Sequence, residues 1–477
     1  MKFITFKGFN MTKKLIISYA FPPSSTTTGN AMAKKILKKK NNVDIIYASL
    51  KNLDYDEEFA KILDKYLTKK YIIDLDFNTS WDNIKTFTTE GMNKLNKIFE
   101  YESMYSMCHF IHSHFLALEY KLEHPNTFWS AEFSDPLIYN FEGKLNSSPI
   151  YDEEYLNKIN KIIPDNFKKI SKTDTLNYIC EYLAFIFADE IIFTNENQRK
   201  VMLEIFPNQE ICPIVEKKSK IIEHNTLDEK YYNIHESDYE IDESYINFGY
   251  FGVIFGKRTL EDFVNAFDNL NDEYKDKFKL HIFTPTIILF EQLLSKDVMK
   301  NTIINNNINY LEFLNICKKF DVLLVNDTRT SNLYSTNPFL PSKLSDYEGS
   351  GSDIWAICEK NSPMDKKEIK YKSKLNDIES SINTLNNIFE DKLKVKIETN
   401  NFDKEEYFKQ RISELSQKIN ELVDVCESEF RKDEMYESQI NELNEKILNL
   451  EKTNSEILNS NSWKLTSNFR KIGKKLK

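Results

Sequence analysis

Asn337-Pro-Phe-Leu-Pro-Ser-Lys-Leu-Ser-Asp-Tyr-Glu-Gly-Ser-Gly351, followed by Asp353-Ile-Trp-Ala-Ile357, is the stretch on which the reading of this chain turns. Pro338 and Pro341 exclude helix before Ser342, because proline lacks an amide proton and its ring clashes with the preceding turn. A helix is predicted to begin there, with Ser342 as its N-cap. Its first turn offers unpaired backbone amides and the positive end of the helix dipole to an anion. Lys343 adds a point charge there, suited to a diphosphate. Asp346, one turn on, is placed to accept a hydrogen bond from a ribose hydroxyl. Gly349 and Gly351 are expected to end the helix before a strand over 354–357.

Upstream, Asn247-Phe-Gly-Tyr-Phe-Gly-Val-Ile-Phe-Gly-Lys-Arg258 leads from a predicted strand over 246–251 into a predicted helix from Thr259 to Leu270. A strand, then glycines, then a basic pair before a helix makes a second anion site. Arg258 is the expected bidentate phosphate ligand, and Lys257 the second. Alone, such a turn is also an ordinary strand-to-helix connection. Its company with Ser342 and Lys343 gives it weight.

The first 390 residues alternate short apolar runs with helical patterns, the signature of parallel βαβ units. Strands are predicted over 15–20, 43–47, 71–75, 127–131 and 188–194. A polar, acidic stretch over 226–244 follows. A second series covers 246–251, 279–283, 308–310, 322–325 and 354–357. The fold class is therefore α/β, with two Rossmann-like doubly wound domains. Their ligands are expected in a shared cleft beyond the carboxyl ends of the strands. The divisions are an N-terminal extension (1–12), a first domain (13–228), a second (238–396), a helical segment (403–462) and a tail (463–477).

Two further blocks carry candidate chemistry. Ser24-Ser-Thr-Thr-Thr-Gly-Asn30 follows the first strand, with Gly29 where a helix starts. Trp129-Ser-Ala-Glu-Phe-Ser-Asp-Pro136 ends another strand, and Glu132 with Asp135 could position or deprotonate a hydroxyl. Pro136 after an acid also fits a simple strand terminator. In Ile111-His-Ser-His114 the spacing of His112 and His114 admits a metal, although a helix start in the cleft is the preferred reading.

The 337–351 segment resembles the donor site of family-four retaining glycosyltransferases, which reads Pro-x-Lys-x-x-Glu-Tyr-x-x-x-Gly. Asp346 stands where that family has the ribose-binding Glu. Another family acid, eight positions earlier, is replaced by Pro338 beside Asn337. The 247–258 block is similar to the family's Gly-x-(Phe/Leu)-x-x-x-(Arg/Lys) turn. Ser24 to Asn30 matches its loop near donor phosphate and acceptor. At 134–135 Ser134 replaces the His of a His-Asp pair, and Asp135 remains. The resemblance spans residues 13–390. It implies a GT-B fold, with an acceptor domain first and a donor domain second. It also implies retaining transfer of a sugar from a nucleoside diphosphate sugar to a glycan or lipid-linked acceptor. The Ser462-Trp463-Lys464-Leu465-Thr466 segment is similar to tails of bacterial surface-glycan transferases. Ser342, Lys343, Asp346, Arg258, Lys257 and Gly29 would hold the donor, and Asp135 with Glu132 would face the acceptor. No cofactor beyond the nucleotide sugar co-substrate is implied, and no metal, since two bases and a helix end neutralise the diphosphate. A non-catalytic scaffold of the same fold and a sugar-nucleotide epimerase are the alternative readings.

Composition sets the limits. Apolar residues make up 41% and charged residues 29%, enough for packed cores. The net charge of −10 argues against general nucleic-acid binding, which needs local positive charge. The six cysteines form no Cys-x-x-Cys pair, so free thiols are expected. Met1 to Lys14 lacks a signal-peptide core, and Met11 is a candidate start. A cytoplasmic protein is expected.

Beyond residue 403 the pattern changes. Ile412, Leu415, Ile419, Leu422 and Cys426 follow a 3-4 spacing, which Ile440, Leu443, Ile447, Leu450 and Ile457 repeat in the same register. Glu429 and Asp433 fall on core positions between them. This predicts a coiled coil, and with it a homo-oligomer or a partner protein. A long helix packed on the domains is the other reading. In the tail, Leu465, Phe469, Ile472 and Leu476 share a face, with Lys464, Arg470, Lys471, Lys474, Lys475 and Lys477 around it. That suits either a helix on an anionic membrane, at the inner face of the cell membrane, or a solvated end.

Overall fold

The computed structural model describes residues 14–95, 100–145, 150–253, 260–330, 333–400, 409, 412, 413, 415–420 and 434–459. The predicted extension, the tail and much of 403–433 lie outside them. Residues up to Phe389 form one compact unit and those from Glu390 a second.

The first unit contains two sheets. One comprises β1 (Lys14–Ile17), β2 (Val43–Ala48), β3 (Leu67–Ile73), β4 (Ser103–Cys108), β5 (Phe128–Phe133), β6 (Glu190–Phe193) and β7 (Ser219–Ile221). Its order is β3-β2-β1-β4-β5-β6-β7, parallel throughout. The other comprises β8 (Ile246–Phe251), β9 (Phe278–Phe283), β10 (Thr302–Asn305), β11 (Val322–Asn326), β12 (Asp353–Cys358) and β13 (Tyr371–Lys374). It runs β10-β9-β8-β11-β12-β13, again parallel. β2, β8 and β11 are buried along their whole length, as expected of strands covered on both faces. The strand order reverses between β1 and β4 and between β8 and β11. These are the places where such sheets leave a crevice.

The helices used below are α1 (Thr27–Lys39), α2 (Glu57–Leu63), α3 (His112–Glu123), α4 (Leu176–Phe187), α5 (Glu261–Asp268), α6 (Tyr310–Cys317), α7 (Lys343–Ser350), α8 (Ile378–Asn400) and α9 (Glu434–Asn459). Among the described residues none is long and apolar enough to cross a membrane.

β4, β7 and β13 lie where the sequence pattern predicts no strand. β4 reads Ser-Met-Tyr-Ser-Met-Cys, without the β-branched residues that mark strands. The pattern predicts a strand over 308–310, whereas β10 lies at Thr302–Asn305 and Tyr310 opens α6. The cause is a long-range cap: Asp56, itself the N-cap of α2, accepts the Tyr310 amide at 2.9 Å.

The two sheets share a seam. Met32 and Ile36 of α1 and Phe59 of α2 pack in one buried cluster with Tyr231, Tyr232, Leu311 and Leu314. One apolar core thus draws on both halves. Replacing the fully buried Leu314 by Ala should cost ~2–5 kcal/mol. Denaturant unfolding followed by the fluorescence of Trp129 and Trp355, buried in the first and second sheet respectively, should show a single transition at lower midpoint. Two separated transitions would contradict a shared core.

Candidate active site

The two blocks singled out on the donor side meet. Lys343, the first residue of α7, donates to the carbonyl of Phe251, the last residue of β8. Its ammonium lies 4.5 Å from the centre of the Tyr250 ring. The Tyr347 hydroxyl accepts the Phe251 amide at 3.3 Å. Gly252 has φ +141°, and a Cβ there would come within 2.7 Å of Lys343 Nζ. Only glycine satisfies both the backbone and the ammonium at that point. Lys343 therefore stands at the carboxyl end of β8, beside the second switch point.

The other donor-side candidates fare differently. Ser342 has helical angles (φ −62°, ψ −29°) and its hydroxyl makes no capping bond. The expected side-chain cap is replaced by a turn, in which the Leu344 amide bonds the Pro341 carbonyl at 3.0 Å. Gly351 ends α7 with φ +82°, whereas Gly349 lies inside the helix against Tyr232. Gly29 sits in the first turn of α1, where Thr26 Oγ1 accepts its amide at 3.0 Å. A Cβ there would lie 3.1 Å from Phe21 Cα, so its bareness lets the helix start against the strand end. Lys257 and Arg258 lie outside the described residues.

Asp346 is almost enclosed. Its Oδ1 accepts from Lys34 at 2.8 Å and from the Tyr310 hydroxyl at 2.6 Å, and Lys34 also donates to Ser345 Oγ at 2.7 Å. Lys34 and Asp346 expose 2% and 8% of their side chains. Burial, and then the charge of Asp346, hold the Tyr310 hydroxyl well above its usual pKa, so it stays a donor. The carboxylate expected to meet a ribose thus serves an ion pair across the seam.

A further carboxylate, absent from the sequence reading, organises the loop before α7. Glu359 follows β12. It accepts the Thr330 amide with both oxygens at 3.0 Å, the Thr330 hydroxyl at 2.9 Å and Asn337 Nδ2 at 3.0 Å. An acid therefore stands beside Asn337, supplied by the residue just after β12. Nothing local marks it, since its partners lie 22 and 29 residues away.

On the acceptor side, Glu132 and Asp135 do not form the expected pair. Glu132 lies within β5 and meets Lys35 of α1, whereas Asp135 lies beyond the end of the strand. Glu132 is fully buried, 3.0 Å from Lys35 Nζ, and accepts from the Tyr105 hydroxyl. Burial raises its pKa against the opposing pull of Lys35. The partner of Asp135 is His109, just after β4, with Nδ1 3.2 Å from Oδ2. Both are open to solvent, at 47% and 37%. The protein packed around the imidazole disfavours its charge, but the hydrogen bond and charge of Asp135 raise the His109 pKa overall. The composition of β4 hides His109 in the sequence, and a histidine directly after that strand is the local signal for it.

His112 and His114 open α3 and are buried, His112 stacking on Tyr19 and His114 bonding Ser106. Burial pushes both pKa values down to about 3, so they are neutral side chains of the core. No group of His, Cys, Asp and Glu among the described residues could hold a metal. Cys108, Cys180, Cys317 and Cys358 are buried free thiols and Cys212 is half-buried.

The loop carrying Asp135 is fixed by α4. Asn177 donates to the Leu137 carbonyl at 2.8 Å, and Glu181 accepts the Leu137 amide.

Comparisons with known proteins place this architecture. No family profile and no curated protein matches the chain. Solved structures do. OtsA in its apo form matches at 10% identity and TM-score 0.50, over 79% of this chain and 91% of that one. A trehalose-6-phosphate protein from E. coli bound with UDP-2-fluoro glucose matches at 9% identity and TM-score 0.50, with the same coverages of 79% and 91%. Lower, at 0.47, stand the lipopolysaccharide outer core galactosyltransferase WaaB (11% identity, 80% and 91%) and a UDP-GlcNAc 2-epimerase from Neisseria meningitidis bound to UDP-GlcNAc (10%, 79% and 91%). At these identities the likeness concerns the fold, which is GT-B-like.

Two outcomes follow for the buried charges. Lys34→Ala leaves Asp346 buried without its counter-charge, and should cost ~3–5 kcal/mol. A Lys34→Met/Asp346→Leu double variant should recover most of that in urea titrations. Glu181, 1% exposed, has its pKa pushed up to about 8 by burial. The folded state therefore holds this proton where the unfolded state has lost it. Stability should fall as pH rises from about 5 to 8, by up to ~1.4 kcal/mol per unit. Glu181→Gln should flatten that slope.

Proposed function

We propose that this chain is a glycosyltransferase that moves a sugar from a nucleoside diphosphate sugar to a glycan or lipid-linked acceptor. The observation that carries the reading is the convergence of Lys343, Gly252 and the end of β8, in a fold whose ligands lie at strand ends. Lys343, with Arg258 and Lys257, would meet the diphosphate and stabilise its departing charge. Ser342 and Gly29 would border it. Asp346 would reach the ribose through Oδ2, its Oδ1 being held by Lys34 and Tyr310. Asp135 and His109 would orient the acceptor hydroxyl, with Asp135 fixing the imidazole. Glu132 would act at a distance, as the counter-ion of Lys35. Retention of configuration, work in surface-polysaccharide synthesis and attachment to the membrane through 463–477 complete the proposal. Uridine is the first base to test, because the E. coli relative was solved with a UDP sugar.

A non-catalytic scaffold is the second reading, favoured by the enclosure of Asp346. Calorimetry with a panel of nucleoside diphosphates and their sugars separates the two in part. Micromolar binding of one nucleotide, weakened at least tenfold in Lys343→Ala with unchanged circular dichroism, is the expected result. Sugar transfer from the bound nucleotide then distinguishes enzyme from scaffold. Silence across the panel would discard the transferase.

A further inference from the structure

The helix α9 spans 26 residues without Gly or Pro. With Ile440 and Ile447 at heptad position a, and Leu443, Leu450 and Ile457 at d, Asn454 falls at a as well. Leu443, Ile447, Leu450, Asn454 and Ile457 are half-buried, whereas Leu448, off the stripe, is 69% exposed. The Asn454 Oδ1 is buried and has no hydrogen-bond partner among the described residues. An enclosed amide oxygen left unpaired is destabilising, so the sequence is expected to provide it a donor. Lys446 at g and Glu451 at the next e stand five residues apart.

We infer that α9 pairs with α9 of a second copy of this chain as a parallel, in-register, two-stranded coiled coil. β-branched residues at a with Leu at d favour two parallel strands. In that arrangement the two Asn454 side chains share one layer, and each amide can donate to the other's Oδ1. An antiparallel pair sets a against d and leaves Asn454 facing an aliphatic side chain. Only the parallel register also brings Lys446 of one copy to Glu451 of the other. Lys446 already bonds Glu442 within its own helix at 3.2 Å, an exposed contact that this pairing extends. Within one chain the Asn454 Oδ1 stays without a hydrogen-bond partner among the described residues. This pairing does not depend on glycosyl transfer.

Sedimentation of the full chain tests it. A dimer is expected, with Leu450→Lys shifting it to monomer by at least tenfold in Kd. Glu451→Lys leaves the packed stripe intact and should weaken association severalfold at low salt, with the difference fading at high salt. Ile457→Cys should give a disulfide-linked dimer under mild oxidation, since paired d positions lie within bridging distance only in parallel register. A monomeric wild-type chain would overturn the inference. So would a dimer indifferent to both Leu450→Lys and Glu451→Lys, or an Ile457→Cys chain that does not cross-link.

Discussion

Two consecutive lysines on one helix hold the molecule in register. Lys34 leaves α1 toward the second half and ends on Asp346, while Lys35 turns into its own sheet and ends on Glu132. Successive helical residues point about 100° apart, so a single helix serves both directions. Each ammonium is withdrawn from water and tolerable only because a carboxylate meets it. Apolar burial supplies the stabilisation of the seam around them. The ion pair supplies its alignment, because it works at one relative placement of the two sheets and fails at others.

That alignment decides what the candidate site can be. The base of α7 is fixed through Asp346 on one side and through Tyr347 and Lys343 on the other. The Lys343 ammonium is thereby held at the end of β8 by groups that are themselves buried. The loop before α7 is tied down by Glu359 and by two asparagines of the first half, Asn195 and Asn197, which donate to the carbonyls of Pro338 and Asn337. Both halves thus shape the segment on which the chemistry would rest. On the opposite side, His109 and Asp135 are solvent-accessible.

Local signals in the sequence were read well, and long-range ones were not. Pro341, Ser342 and Lys343 announce a helix start whatever surrounds them, so α7 was legible. The same holds for the apolar runs that became β2, β8 and β11. Glu132 was assigned to the wrong neighbour because its spacing from Asp135 is visible, while Lys35 lying above it is not. The partner of Asp346 lies 312 residues away, and no pattern within α7 indicates it. Tyr310 reads as strand until Asp56 is known to cap it. His109 was hidden by a strand built from serines, methionines and a cysteine, a composition that only the neighbouring strands β1 and β5 make extended.

The seam has a consequence for how the protein is made. Met32 and Ile36 leave the ribosome early, whereas Leu311 and Leu314, their covering residues, follow roughly 280 residues later. At roughly 5–20 residues per second, the apolar face of α1 waits on the order of 15–60 s for its cover. During that interval the nascent first half displays a sticky surface, and Lys34 stands beside it with no counter-charge. A chaperone that shields apolar segments during translation would find its natural client surface there, on the flank that the finished molecule conceals.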